Sequence, residues 1–265
     1  MRLLRRGVLF AVLGLVSLGS CIAPGSYTVT IQFGESHRRR AVAASMMLVQ
    51  VLPGTDIAPE DIRERRRGTL SGAIVHPDGY VLTSFHGIGD PKTGEVRYDM
   101  YGYMMPEGRY DGPLAASPVY QLEVVDTLPG EDIALLKIVR RSYGWIFEVL
   151  PPGHYFPFLE VDDTRHAYTT QPHYIVGFPF VSSRNSGGLP PVSIFSGSIV
   201  AVDTVNNWMH SDLRFSSGLS GAPAVSTSGV LLGIALAVQV DPRTQAHVSV
   251  IRSARAARPL LDAIR

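Results

Sequence analysis

Apolar runs of five to eight residues recur along this chain, and nearly every one is bounded by glycine, proline or a polar turn. Strand candidates include SMMLVQVL from Ser45, GAIVHP from Gly72, YVLTSF from Tyr80, IALLKIV from Ile133, YIVGFPF from Tyr174, SGSIVAVD from Ser196, GAPAV from Gly221 and GVLLGIALAV from Gly229. Runs of that length suit buried strands, whereas a core helix needs ten residues or more of 3.6-residue periodicity. The 26 glycines and 19 prolines supply the turns between them. The pattern therefore predicts an all-β domain and excludes a regular alternation of strand and helix. Helix is predicted only in PEDIRERRR, opened by Pro59 and closed by Gly68, and in SARAARPLLDAIR at the end, with Pro259 as a break.

Two segments resemble each other. SGAIVHPDGYVLT (Ser71 to Thr83) and SGAPAVSTSGVLL (Ser220 to Leu232) both read strand, tight turn with glycine, strand, and each begins Ser-Gly-Ala. One copy falls in each half of the chain, which predicts a duplicated β-barrel. Between the copies, the Pro- and aromatic-rich stretch from Gly144 to Asp163 reads as a crossover. The predicted layout is a domain over 44–250, with a first barrel over about 44–143, a crossover at 144–168 and a second barrel at 169–250, followed by a C-terminal helix at 251–265.

The N-terminus reads as an export signal. Arg2, Arg5 and Arg6 precede an uncharged, mostly apolar run from Gly7 to Gly19, too short to span a bilayer. The run ends in LGSC (Leu18 to Cys21), which resembles the bacterial lipoprotein cleavage box. That implies a signal peptide over 1–20, lipidation at Cys21, a tether over 21–43 and attachment to a membrane of a bacterial cell envelope. An ordinary secretory signal with an incidental cysteine is the alternative. Cys21 is the only cysteine, so no internal disulfide can form. A formal charge of +1 gives no reason to expect a nucleic-acid partner, and the basic clusters at His37–Arg40 and Arg63–Arg67 are short enough to be solvated faces. None of the eight histidines shows metal-ligand spacing, and no metal or other cofactor is expected.

The stretch SSGLSGAPAV (Ser216 to Val225) sets Ser220 between Gly218 and Gly221. A serine hydroxyl becomes a nucleophile only beside a base that is itself held by a third group. His86 closes the strand YVLTSFHG and would project at a sheet rim. Asp132 stands directly before the run IALLKI, at the mouth of a buried strand, where a carboxylate can be partly desolvated and still accept N–H bonds. Taken singly, each is as readily a turn or rim residue.

In that order and spacing, TSFHG, EDIALLKI and SSGLSGAP resemble the trypsin-like serine proteases, and especially their HtrA/Deg-like branch. The likeness extends from about Gly68 to Val240. It implies two six-stranded β-barrels with a short C-terminal helix. It also implies a serine endopeptidase acting through an acyl-enzyme on polypeptide substrates, with Ser220 as nucleophile, His86 as general base and acid, and Asp132 orienting the imidazole. The N–H groups of Gly218 and Ser220 would form the oxyanion hole, and the substrate pocket would be lined by Arg214, Ala235, Leu236 and Ala237, favouring small or medium aliphatic P1 residues. Three features depart from the branch: Leu219 in place of a polar residue, the insertion RNSGGLPP, and the lack of a PDZ-like domain after the protease region. A silent trypsin-like domain that binds peptides at a membrane is the rival reading. An α/β-hydrolase elbow is disfavoured because Ala222 and Pro223 follow where a glycine and a helix should stand.

Overall fold

The computed structural model describes residues 33–54, 57–106, 114, 118–162, 167–180, 189–240 and 247–265, with the side chains of 237–240 and 247 excepted. Cys21, the signal segment and the RNSGGLPP insertion up to Gly188 lie outside the described residues. In chain order the elements are α1 (Glu35–Ala43), β1 (Ser45–Val51), α2 (Ile62–Arg65), β2 (Gly68–His76), β3 (Tyr80–Ser84), β4 (Gly89–Asp90), β5 (Glu95–Val96), β6 (Asp99–Met104), β7 (Tyr120–Leu128), β8 (Ile133–Tyr143) and β9 (Ile146–Val149). After the crossover come β10 (Pro172–Gly177), β11 (Ser193–Asp203), β12 (Trp208–Ser211), β13 (Pro223–Ser226), β14 (Leu231–Val240), β15 (His247–Ser253) and α3 (Arg258–Asp262).

Strands β3-β2-β1-β6-β7-β8 run in that order, and β3 pairs with β8 to close a six-stranded barrel; β9 is an extra strand on β8. The second barrel closes as β10-β11-β12-β15-β14-β13. All these pairings are antiparallel, so short hairpins suffice where consecutive strands pair closely, as in β2–β3, β7–β8, β11–β12 and β13–β14. The all-β double barrel expected from the sequence is therefore the fold observed.

The core explains why several strands are apolar throughout rather than alternating. Six of the seven residues of β1 are buried, because one face lines the barrel and the other is covered by neighbouring elements. Barrel residues such as Met46, Leu48 and Leu135 belong to one apolar cluster with Val176, Leu231 and Leu261 from the second half of the chain. A smaller cluster fills the second barrel around Ile175, Ile199, Met209 and Ile251.

Four boundaries differ from the sequence-based expectation. Residues 35–43, assigned to a tether, form α1, whose Ala41 and Val42 are fully buried. Within it Arg38 and Arg39 pair with Glu35, the latter at 2.6 Å, so much of that basic cluster is balanced inside its own helix. PEDIRERRR contributes a single helical turn, because Arg67 already donates to Gln50 O and Gly68 is in register with Gln50 in the sheet. The crossover begins later than Gly144, since Ile146–Val149 turns back as β9 on β8. Its side chains are largely exposed, so it lacks the buried period that marks a strand in sequence. At the C-terminus β15 runs on to Ser253, and Pro259 sits in the first turn of α3 rather than breaking it. An N–H missing there is one the helix would leave unpaired anyway.

His173 lies on β10 and is fully buried, with Nε2 3.0 Å from Ser211 Oγ. Burial pulls its pKa down from 6.5 to about 4, against the opposing pull of the Asp212 charge. Between those values the unfolded chain binds a proton that the native chain refuses. Stability is thus full above pH 6.5, is lost as pH falls towards 4, and then levels off, for a total of about 3 kcal/mol. Melting temperature against pH should therefore fall more steeply below pH 6.5 in the native sequence than in His173→Gln; parallel curves would show that His173 is not the group responsible.

Candidate active site

Strand β3 ends in a tight 3-10 turn, Phe85–Gly87, that carries His86 to the rim of the first barrel. Phe85 is fully buried and pins the turn from below. Asp132 follows a second such turn, Pro129–Glu131, and adopts a left-handed conformation (φ 55°, ψ 41°), which aspartate tolerates better than most residues. The two turns are joined directly: Phe85 N–H donates to Asp132 O (3.1 Å) and His86 N–H donates to Asp132 Oδ1 (2.7 Å).

The second carboxylate oxygen, Oδ2, lies 2.7 Å from His86 Nδ1. A carboxylate only accepts, so Nδ1 carries the proton and the neutral ring keeps Nε2 as an acceptor. Nε2 is 3.1 Å from Ser220 Oγ. The same hydroxyl is 3.1 Å from Leu236 O. Having one proton, it can donate to only one of the two acceptors at a time. The geometry thus holds a hydroxyl beside an unprotonated imidazole nitrogen whose far side is fixed by a carboxylate. Such an arrangement can move a proton off oxygen as that oxygen attacks an electrophile.

Ser220 is presented by a loop that only glycine can shape at two points. Gly218 has φ 91°, and a Cβ there would come within 2.4 Å of Phe178 O. Gly221 has φ 80°, and its Cβ would meet Ser71 O at 2.2 Å. A non-glycine residue would meet both left-handed strain and a backbone collision. Two overlapping turns close the loop, through Leu219 N–H to Ser216 O (3.1 Å) and Ala222 N–H to Leu219 O (2.9 Å). Leu219, the departure from the family pattern, points inward and is 1% exposed, packed in the second barrel's core. Its apolar side chain therefore anchors the loop instead of facing the site.

The structure brings His86, Asp132 and Ser220 together from three separate segments. It treats the expected pocket residues differently. Arg214 is exposed, whereas Ala235 is fully buried inside the second barrel's cluster and lines no open pocket. Leu236 is also largely buried and offers the site its carbonyl rather than its side chain. Ala237 pairs with Val250 in the sheet, and its side chain is outside the described residues. A bulge lies between Ala235 and Ala237, and sequence spacing does not reveal it.

Sequence reasoning also missed the supports behind the site. Arg252, whose side chain is 5% exposed, lies 2.9 Å from Glu131 Oε2, donates to Asn206 O (2.7 Å) and sits over the Trp208 ring. It ties the turn that carries Asp132 to the second barrel. Glu131 opens the EDIALLKI segment, but Arg252 lies far from it in sequence and in no quoted motif, so nothing in the sequence marks the two as a pair.

A family model described as trypsin-like peptidase domain matches residues 70–234, more than half of the chain. Over 200 residues the chain is 22% identical to the "Probable periplasmic serine endoprotease DegP-like" of Rickettsia prowazekii (strain Madrid E), covering 74% of this chain and 33% of that protein. It is 27% identical over 173 residues to the "Probable membrane transporter protein MamO" of Paramagnetospirillum magneticum (strain ATCC 700264 / AMB-1), covering 63% of this chain and 22% of that one. The chain thus spans about a third or less of the length of these relatives. The crystal structure of the serine endoprotease from Yersinia pestis superposes with a TM-score of 0.57 at 21% identity, over 86% of this chain and 65% of that one, a likeness of fold. Two closed barrels, and a family match that begins in β2 and ends in β14, make this chain a member of the trypsin-like peptidase family.

Proposed function

We propose that the chain is a serine endopeptidase that cleaves exported or envelope polypeptides through an acyl-enzyme. The observation that carries this reading is the unbroken series from Asp132 through His86 to Ser220, at 2.7 and 3.1 Å. Ser220 Oγ attacks the scissile carbonyl while its proton passes to His86 Nε2. Asp132 holds the imidazole in the required tautomer and stabilises the imidazolium that forms. The N–H groups of Gly218 and Ser220 bind the oxyanion. His86 then returns the proton to the leaving amine, and water releases the acyl group by the same route in reverse. The family match and the DegP-like relative support a protease, and that relative's periplasmic name supports an exported location. Anchoring through a lipidated Cys21 is part of the proposal and rests on the LGSC segment.

The test is the intact mass of the full chain, in detergent, after exposure to a fluorophosphonate. One adduct on the native sequence, with none on Ser220→Ala or His86→Ala, is the expected result. A folded native chain that takes no adduct would instead favour a silent peptide-binding domain.

A further inference from the structure

Ser71 is fully buried on β2 and plays no part in the chemistry proposed above, yet two of its polar contacts reach the back of the Ser220 loop. Its N–H donates to Ser220 O (2.8 Å). Its hydroxyl lies 2.7 Å from Gly218 O and accepts from Phe178 N–H (3.1 Å). Its carbonyl accepts from Thr83 Oγ1 (2.7 Å). The amide of Phe178 can only donate, so the single hydroxyl proton of Ser71 goes to Gly218 O. The first residues of the two similar Ser-Gly-Ala segments are thus hydrogen-bonded to each other across the barrels.

This pairing completes a pattern. Ser217 O accepts from Phe180 N–H (2.6 Å), and Leu219 O accepts from Ala222 N–H (2.9 Å). With Ser71 holding Gly218 O and Ser220 O, the carbonyls of four successive residues, 217 to 220, are all occupied. In a trans peptide the N–H points opposite to the carbonyl of the same plane. Fixing Ser217 O and Leu219 O therefore aims the N–H groups of Gly218 and Ser220 the other way. Among the described residues no acceptor takes either N–H. Turning one of these carbonyls into the site would break the bond that holds it, and Ser71 restrains the plane between the two donors.

We propose that Ser71 is a positioning residue that reaches across from the first barrel and holds the Ser220 loop with both oxyanion donors facing the substrate. The proposal rests on the serine-endopeptidase reading. A preorganised donor contributes to the transition state and little to ground-state binding.

The experiment uses the full chain, a peptide substrate identified by digesting β-casein, and the aldehyde and free-acid forms of that peptide. Ser71→Ala should lower kcat about 10²-fold with KM unchanged. It should weaken the aldehyde, whose adduct with Ser220 carries an oxyanion, by a similar factor, and leave free-acid affinity unchanged. Ser142→Ala is the control for loss of a buried hydroxyl, since Ser142 Oγ accepts from Val119 N–H within the first barrel (2.8 Å); it should keep kcat. If Ser71→Ala does not fold, Ser71→Cys, with a weaker donor of similar shape, should show a smaller loss of the same kind. A folded Ser71 variant with native kcat and aldehyde affinity overturns the proposal, as does one in which free-acid binding falls equally. Undiminished hydrolysis by Ser220→Ala would overturn the underlying endopeptidase reading, a separate and distinguishable result.

Discussion

Ser220→Ala is expected to lower peptide hydrolysis about 10⁶-fold, to the small residual rate that binding and oxyanion donors alone can sustain. The loss is so large because, among the described residues, the Ser220 hydroxyl alone is hydrogen-bonded to His86 Nε2, at 3.1 Å, and its removal leaves that base to act on water. Fold stability should hardly change. The hydroxyl's other contact is Leu236 O, and the glycine conformations on either side do not depend on the side chain at 220. Turnover and melting temperature measured on the same preparation separate the two effects. A folded variant that still cleaves at more than a hundredth of the native rate would remove Ser220 from the mechanism.

Asp132→Asn should lower kcat about 10⁴-fold near neutral pH, again with little change in melting temperature. Asparagine also tolerates the left-handed backbone found here, so the Pro129–Glu131 turn should keep its shape. The hydrogen-bond logic, however, reverses. His86 N–H needs an acceptor at the position of Oδ1, which claims the amide oxygen and leaves the NH2 group facing Nδ1. Nδ1 must then accept, which moves the ring proton to Nε2 and deprives the Ser220 hydroxyl of its acceptor. The fluorophosphonate reaction should slow in parallel, since it depends on the same activation. A variant that retains more than a tenth of native kcat would show that Asp132 is not orienting the imidazole.

Much of this architecture was legible in the linear order of residues. Short apolar runs between turn signals marked the strands, and the repeated Ser-Gly-Ala hairpin pointed to two related barrels. His86, Asp132 and Ser220 stood out only together, through the resemblance of TSFHG, EDIALLKI and SSGLSGAP to the trypsin-like family; singly, each reads as a turn or rim residue. Exposed elements were harder to read. Strand β9 has no buried face to impose a period, and α2 is cut short because sheet pairing captures Arg67 and Gly68. The burial of Ala235 was likewise hidden, because its side chain is covered only once the second barrel closes.

What the sequence determined by itself was local: an all-β chain, its turn positions, and three residue types suited to proton transfer and nucleophilic attack. These depend on local pattern, where burial periodicity and glycine chemistry act over a few residues. Only the tertiary structure decided which groups meet. His86 and Ser220 are 134 residues apart, and the contact between them exists because strands of the two barrels pack against each other. The same packing brings Ser71 against the Ser220 loop and buries Arg252 beside Glu131. Neither pairing can be read from the sequence, because a polar contact between distant segments is set by the geometry of the whole fold rather than by the residues that flank it.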